Sequence, residues 1–303
     1  MKPIVLILGP TGRLGRNAAL AFERDGWDVR RFDRKTDNLW DAAWGASVIV
    51  NGWNPPYTDW ATDVPAFTAD VIEVAKASGA TVIIPGNVYV YGPDAPSTFD
   101  TDTPHAATNP LGRIRIEMEA AYRAAGVRTI IVRAGDYLDT EASGNWFDTI
   151  MIKHLSKGWL TYPGALGVPH AFNFLPDVAN TMVALANKRH ELDMFEDIAA
   201  PGYTLTGHEL GEALSRVKGE TIQVHQMRWW PIRLASLVWP LGRKLLEMRY
   251  LWAKPHSLPF DRLATLCPEV SLTPLDEALA RAIQHDVDPN EAMRASGHTI
   301  AAE

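Results

Sequence analysis

The strongest hydrophobic pattern in the chain lies at its start. Residues 3–8 form an almost unbroken aliphatic run, which suits a strand covered on both faces of a parallel sheet. The run ends in Gly9-Pro-Thr-Gly12-Arg-Leu-Gly15. Leu14, Ala18, Ala19 and Phe22 then recur at helical spacing until Gly26 stops the pattern. Short apolar runs predict further strands over 29–32, 46–50, 81–84 and 127–132. Apolar residues at helical spacing predict helices over 64–77 and 113–125, the second closed by Gly126. Strands alternating with helices define an α/β chain whose parallel sheet is wrapped on both faces.

After residue 135 the texture changes. Residues 162–169 are rich in Gly and Pro and read as loop. Asp177 stands at the start of a helix over 178–187, where its carboxylate can cap free N–H groups. Thr273-Pro274 reads as the cap and first position of a helix over 275–283. The predicted division is a sheet domain over 1–138, rejoined by 171–190, and a smaller substrate lobe over 139–170 and 191–303.

Composition narrows the classes. With 47% hydrophobic and 21% charged residues the 303-residue chain reads as globular rather than disordered. A balance of 29 Lys+Arg against 36 Asp+Glu gives −7, which argues against nucleic acid as a partner. The single cysteine, Cys267, excludes an internal disulfide framework and suits a reducing compartment. The N-terminal apolar run is too short for a secretion signal, and no stretch reaches the roughly 18 apolar residues of a spanning segment. A cytoplasmic protein without an integral membrane segment is expected.

The glycine loop carries the main chemical signal. Glycines spaced by three, between a buried strand and a helix, allow a tight turn and the close approach of a diphosphate to the helix N-terminus. Gly9, Thr11, Gly12, Arg13, Leu14 and Gly15 are therefore expected to hold a dinucleotide in a Rossmann-type fold. No Lys-Ser/Thr follows, which excludes the loop of nucleoside triphosphatases. Asp33, 24 residues past Gly9, ends the next strand, where a carboxylate can accept from ribose hydroxyls. That favours NAD. Arg13 and Arg34 could instead pair with a 2′-phosphate, which keeps NADP open. Asn51 and Gly52 are expected beside the diphosphate, and the 13 residues Arg34 to Ala46 leave little room for a full intervening helix and strand. The nine histidines form no ligand spacing, so no metal site is expected.

Three segments give the chain a resemblance to a known family. The Gly-Pro-Thr-Gly-Arg-Leu-Gly loop, Val88-Tyr-Val-Tyr91-Gly92 and Asn109-Pro-Leu-Gly-Arg-Ile-Arg115-Ile-Glu117 resemble the extended or atypical short-chain dehydrogenase/reductases, including epimerase/dehydratases of nucleotide sugars. Phe174-Leu-Pro-Asp177-Val-Ala179 and Thr273-Pro-Leu-Asp-Glu-Ala278 are similar to later segments of that family. The resemblance implies a nicotinamide dinucleotide and a small, anionic substrate. It leaves the assembly open, with a homodimer as one form.

The family's reaction uses a Tyr, a Lys four residues later and a Ser or Thr. Here those positions hold Leu111, Arg115 and Asn87. Leucine carries no proton and arginine stays charged, so this pair cannot run the usual proton transfer. Arg115 retains donors for the nicotinamide ribose. Tyr89 is the first candidate for the missing acid/base group, followed by Asp136 and Tyr137; Tyr91 lies in the same strand-end region. Each tyrosine also reads as a packed aromatic. The alternative is a dinucleotide-binding sensor without chemistry.

Two features remain. His170 stands where sugar-nucleotide enzymes of the family place an Arg, although a packing or surface role is the plainer reading. Residues 226–254 carry Arg228, Arg233, Arg243, Lys244, Arg249 and Lys254 against Glu247, with Trp229, Trp230, Trp239 and Trp252 among them. Helices with an aromatic core, an anionic pocket or a membrane or partner surface all fit this composition.

Overall fold

In the computed structural model, residues 2–284 are described. The first half runs β1 (Ile4–Leu8), α1 (Arg13–Arg24), β2 (Asp28–Phe32), α2 (Leu39–Ala43), β3 (Val48–Asn51), α3 (Trp60–Ser78), β4 (Thr81–Gly86), α4 (Pro110–Ala125) and β5 (Thr129–Arg133). The second half runs β6 (Asp136–Leu138), β7 (Trp159–Tyr162), β8 (His170–Phe174), α5 (Leu175–Asn187), β9 (Phe195–Ala199), β10 (Tyr203–Leu205), α6 (Gly207–Lys218) and β11 (Gln223–Gln226). It continues with α7 (Trp230–Ala235), α8 (Pro240–Met248), α9 (Tyr250–Ala253), α10 (Asp261–Leu266) and α11 (Leu275–Ala282).

Six strands pair in parallel in the order β2-β1-β3-β4-β5-β9. Chain progress reverses between β1 and β3, and such a reversal opens a crevice at the strand C-termini. Gly9 and Gly52 both stand there, each one residue past its strand. The aliphatic side chains alternate between two cores, as a pleated strand buried on both faces requires. Leu6 and Ile49 face α3 and α4, whereas Val5, Ile7, Val48 and Val50 face α1 and α5. A third core under the second half joins Phe147, Tyr162, Phe172, Leu214, Trp252 and Leu279.

Several expectations need correction. The lobe predicted over 191–303 does not hold as one piece, because β9 pairs with β5 and completes the central sheet; residues 285–303 lie outside the described residues. In the other direction, β6, inside the predicted sheet domain, belongs to a separate three-stranded sheet of order β10-β8-β6. The segment 34–46 is cut down as its length predicts, to a one-turn helix, α2, capped by Asn38, whose side chain accepts from the N–H groups of Trp40 and Asp41. Asp177 does not cap α5, and Thr273 does not cap α11. The two residues bond each other instead: the Asp177 carboxylate accepts from the Thr273 N–H at 2.9 Å and hydroxyl at 2.7 Å. That ties the start of α5 to the approach of α11.

Candidate functional site

The glycine loop is built by exclusion of side chains. Gly9 has φ +73°, a left-handed conformation that costs an L side chain strain. A Cβ on Gly15 would stand 2.1 Å from the Gly9 carbonyl oxygen, and one on Gly52 would stand 2.6 Å from that of Leu8. Loop, helix and β3 end therefore meet backbone to backbone. Gly12 caps α1 without a side-chain bond, so the first N–H groups of the helix face the crevice free of an internal acceptor. Such an end favours an anion.

The outer side of the crevice departs from expectation in part. Asp33 is exposed at the end of β2, and its carboxylate accepts from the Lys35 N–H at 2.9 Å. Arg34 lies over the rings of Trp53 and Phe67, at 5.8 and 5.3 Å. Together with Phe32 and Leu39 these residues line a pocket of ≈ 500 Å³. Arg13 does not share this corner: its guanidinium lies beside Gly144, and its charge acts on Tyr57 and Tyr137 at the other end. Arg13 therefore does not stand with Arg34 to pair with a 2′-phosphate. Asn51 is also displaced from its expected role. It is buried, with its amide donating to the Tyr122 hydroxyl at 3.1 Å, and so fastens β3 to α4 rather than facing the crevice.

The inner end gathers polar groups from five elements. The hydroxyls of Tyr57 and Tyr89 stand 2.6 Å apart. Tyr89 sits on a short turn over 88–90, started by Asn87, whose side chain accepts from the Tyr89 N–H at 3.0 Å. Burial pushes the Tyr57 and Tyr89 hydroxyls up, the latter strongly, and pushes Tyr137 up to about 12. Among the described residues, no lysine is one of the main charges that act on them. The charge of Asp136, the first residue of β6, adds to the upward shift of all three.

Behind Asp136 stands His170. The pairing of β6 with β8 brings the His170 Nε2 to 2.6 Å from the Asp136 carboxylate. The histidine side chain is 1% exposed and the aspartate side chain 25%, so the carboxylate is the half of the pair open to the cleft. The imidazole lies flat on Trp252, with centroids 3.9 Å apart and planes within 2°, and His256 closes its edge at 4.3 Å. Its Nδ1 is buried with no partner among the described residues. Spacing along the chain did not reveal this pair, since 34 residues separate its members. The signal available was the strand-end position of Asp136.

Leu111 is fully buried, and its N–H donates to Glu247 at 2.6 Å. Arg115 turns inward, donates to Asn54 at 2.8 Å and stacks 4.0 Å over Trp60. Its Nε is buried with no partner among the described residues, and desolvation lowers its pKa. Tyr91 is core rather than cleft, stacked on Phe99 at 4.2 Å.

A second charged cluster supports the turn from below. Arg133 is buried and donates to both Glu119 oxygens at 2.8 and 2.9 Å, to Asp197 at 3.1 Å and to the Asn87 carbonyl at 2.8 Å. His105 approaches the same carboxylates at 3.5 and 3.8 Å. The arginine already occupies the space between the acids, so the cluster is an internal ion-pair network.

No protein-family profile matches the sequence, and no curated protein matches it. Solved structures do. A UDP-glucuronic acid 4-epimerase from Bacillus cereus, in complex with UDP-glucuronic acid and NAD, superposes with a TM-score of 0.71 at 14% identity, covering 94% of this chain and 98% of its own. MoeE5 in complex with UDP-glucose and NAD gives 0.69 at 15% identity, covering 98% and 99%. A protein from Burkholderia cenocepacia gives 0.69 at 18% identity, covering 97% and 98%. The chain therefore has the Rossmann-type fold of nucleotide-sugar epimerases over nearly its whole length.

Proposed function

We propose that the chain is a nicotinamide-dinucleotide-dependent enzyme of the epimerase/dehydratase type, acting on a carbonyl or hydroxyl carbon of a nucleotide sugar or small anionic substrate. The observation that carries this reading is the convergence of Asp136–His170 and Tyr57–Tyr89 at the inner end of a crevice whose middle is a glycine cradle. The fold's relatives solved with NAD support the same reading.

The residues fit the dinucleotide. Gly9, Thr11, Gly12, Leu14 and Gly15 would surround the diphosphate, the Asp33 carboxylate would accept from the ribose hydroxyls, and the Arg34–Trp53 pocket would receive the adenine. Asp33 favours NAD over NADP. Arg115, whose Nη groups keep N–H donors beyond those given to Asn54 and Met118, would serve the nicotinamide ribose. When bound, the nicotinamide supplies the hydride acceptor or donor that a carbinol or carbonyl carbon requires.

The chain's own task is then the proton. A tyrosine without a lysine partner keeps its proton at neutral pH, so Tyr89 suits donation of a hydrogen bond to the substrate oxygen rather than its deprotonation. Asp136 suits the role of base: it is the carboxylate that faces the cleft, and His170 donates to it from behind. The substrate hydroxyl gives its proton to Asp136, and the return step takes it back. Asn87 orients Tyr89 through the turn it caps.

Native mass spectrometry of the purified protein tests for retained dinucleotide, and NADH fluorescence with UDP-sugars tests for turnover. Asp136→Asn should abolish turnover while leaving NADH affinity within about twofold, and Tyr89→Phe should lower turnover roughly 10²-fold or more. Binding with no turnover on any carbonyl or hydroxyl substrate would favour the second reading, a dinucleotide-binding sensor. The buried Leu111 at the family's tyrosine position supports that alternative.

A further inference from the structure

The basic, tryptophan-bearing stretch 226–254 divides in two. Trp229, Trp252 and Met248 turn inward and join the core. Its acid, Glu247, also turns inward, toward Asn109 and the Leu111 N–H. The corner between α7 and α8 does the opposite. Leu237 is 79% and Val238 87% exposed, flanked by Leu234 at 61%, Trp230 at 61% and Trp239 at 40%. Exposed large apolar residues scattered singly are ordinary, but five within ten positions form a patch that marks an interaction surface.

The corner is a fixed projection. Pro231 and Pro240 begin the two helices, and the chain crosses itself at Gly242, where a Cβ would meet the Trp239 ring at 2.7 Å and Ser236 Cα at 3.3 Å. Arg233 precedes the tip by about a turn and Arg243 follows it; both are exposed, and among the described residues the one acid of the stretch, Glu247, pairs with Lys244 rather than with either arginine. The apolar tip is thus bracketed by unopposed cations on a chain of net charge −7.

We propose that the α7–α8 corner docks the protein on an anionic lipid bilayer, with Leu237 and Val238 entering the acyl boundary. Trp230 and Trp239 then lie at the headgroup level, where their amphipathic rings are favoured, and Arg233 and Arg243 meet lipid phosphates. Charge selects this occupant over a second copy of the chain. A two-fold contact through the tip would set the arginines of one copy against those of the other.

The test is cosedimentation of the full chain with phosphatidylcholine vesicles, with and without phosphatidylglycerol. Binding is expected only with phosphatidylglycerol and should fall as salt rises. Leu237→Asp with Val238→Asp should abolish it, and loss of either arginine should weaken it roughly fivefold. These side chains are exposed, so thermal melting of the variants should match the wild type. No sedimentation with anionic vesicles, equal sedimentation with both vesicle types, or a concentration-dependent dimer that the Asp variants dissociate would each overturn the proposal.

Discussion

Burial of His256 makes a quantitative claim about acid stability. The ring is 1% exposed, stacked on Phe99 at 5.2 Å and edge-on to His170 at 4.3 Å. Its Nδ1 donates to the Lys254 carbonyl at 3.0 Å, which leaves Nε2 as the acceptor facing the Ala171 N–H at 3.5 Å. Both nitrogens of the neutral ring are used, and protonation would put a second donor against a donor. Desolvation, aided by His170, lowers the pKa from 6.5 to about 3. A base with a lowered folded pKa binds more protons when unfolded, so its stabilisation is complete above 6.5 and is lost as pH falls toward 3. At pH 5 the unfolded histidine gains RT ln(1 + 10^1.5), about 2 kcal/mol, while the folded one gains almost nothing. Urea denaturation at pH 8 and pH 5 should show wild type losing about 2 kcal/mol more than His256→Gln, which does not titrate. The variant should be less stable at pH 8, since glutamine cannot replace the stack. Equal losses in both proteins would refute the reasoning, whatever their absolute stabilities.

Other perturbations separate binding from folding. Gly12→Val places its Cβ 3.3 Å from the Gly9 carbonyl, tolerable for the fold, and should remove dinucleotide binding in calorimetry with little change in melting temperature. Gly15→Ala cannot avoid the same carbonyl and should cost about 1–3 kcal/mol of stability in urea denaturation. Asp33→Ala should weaken NAD binding by about 1–3 kcal/mol and spare or improve NADP binding, read by titration with each. Arg133→Met strands the buried Glu119 and leaves the half-buried Asp197 without its partner, and should destabilise the protein by about 3–5 kcal/mol on denaturation.

The first half of the fold was legible because its strands are buried on both faces and so read as unbroken apolar runs. β9 escaped notice for the opposite reason. Phe195-Glu-Asp-Ile-Ala is an edge strand carrying two acids, and only the fold supplies their partners, Arg262 for Glu196 and Arg133 for Asp197. The glycine loop was visible because backbone approach leaves a mark in composition. Asn51 misled because its place at a strand end is the same whether the amide faces the crevice or Tyr122. The Asp136–His170 pair is invisible to spacing, since it exists only through the register of β6 on β8.

The position of β9 also governs how the molecule comes into being. β5 has every residue buried, and its outer neighbour follows only after some sixty intervening residues of other structure. A ribosome that has released residues 1–138 has made five of six strands and left β5 with one bare edge, the kind of surface that recruits foreign strands. The sixth strand cannot pair until residue 199 emerges, by which time β6, β7, β8 and α5 have already been made. Excision of the sheet domain at the apparent boundary near 138 should therefore yield insoluble protein, and any split or permuted form must keep β9 with β5.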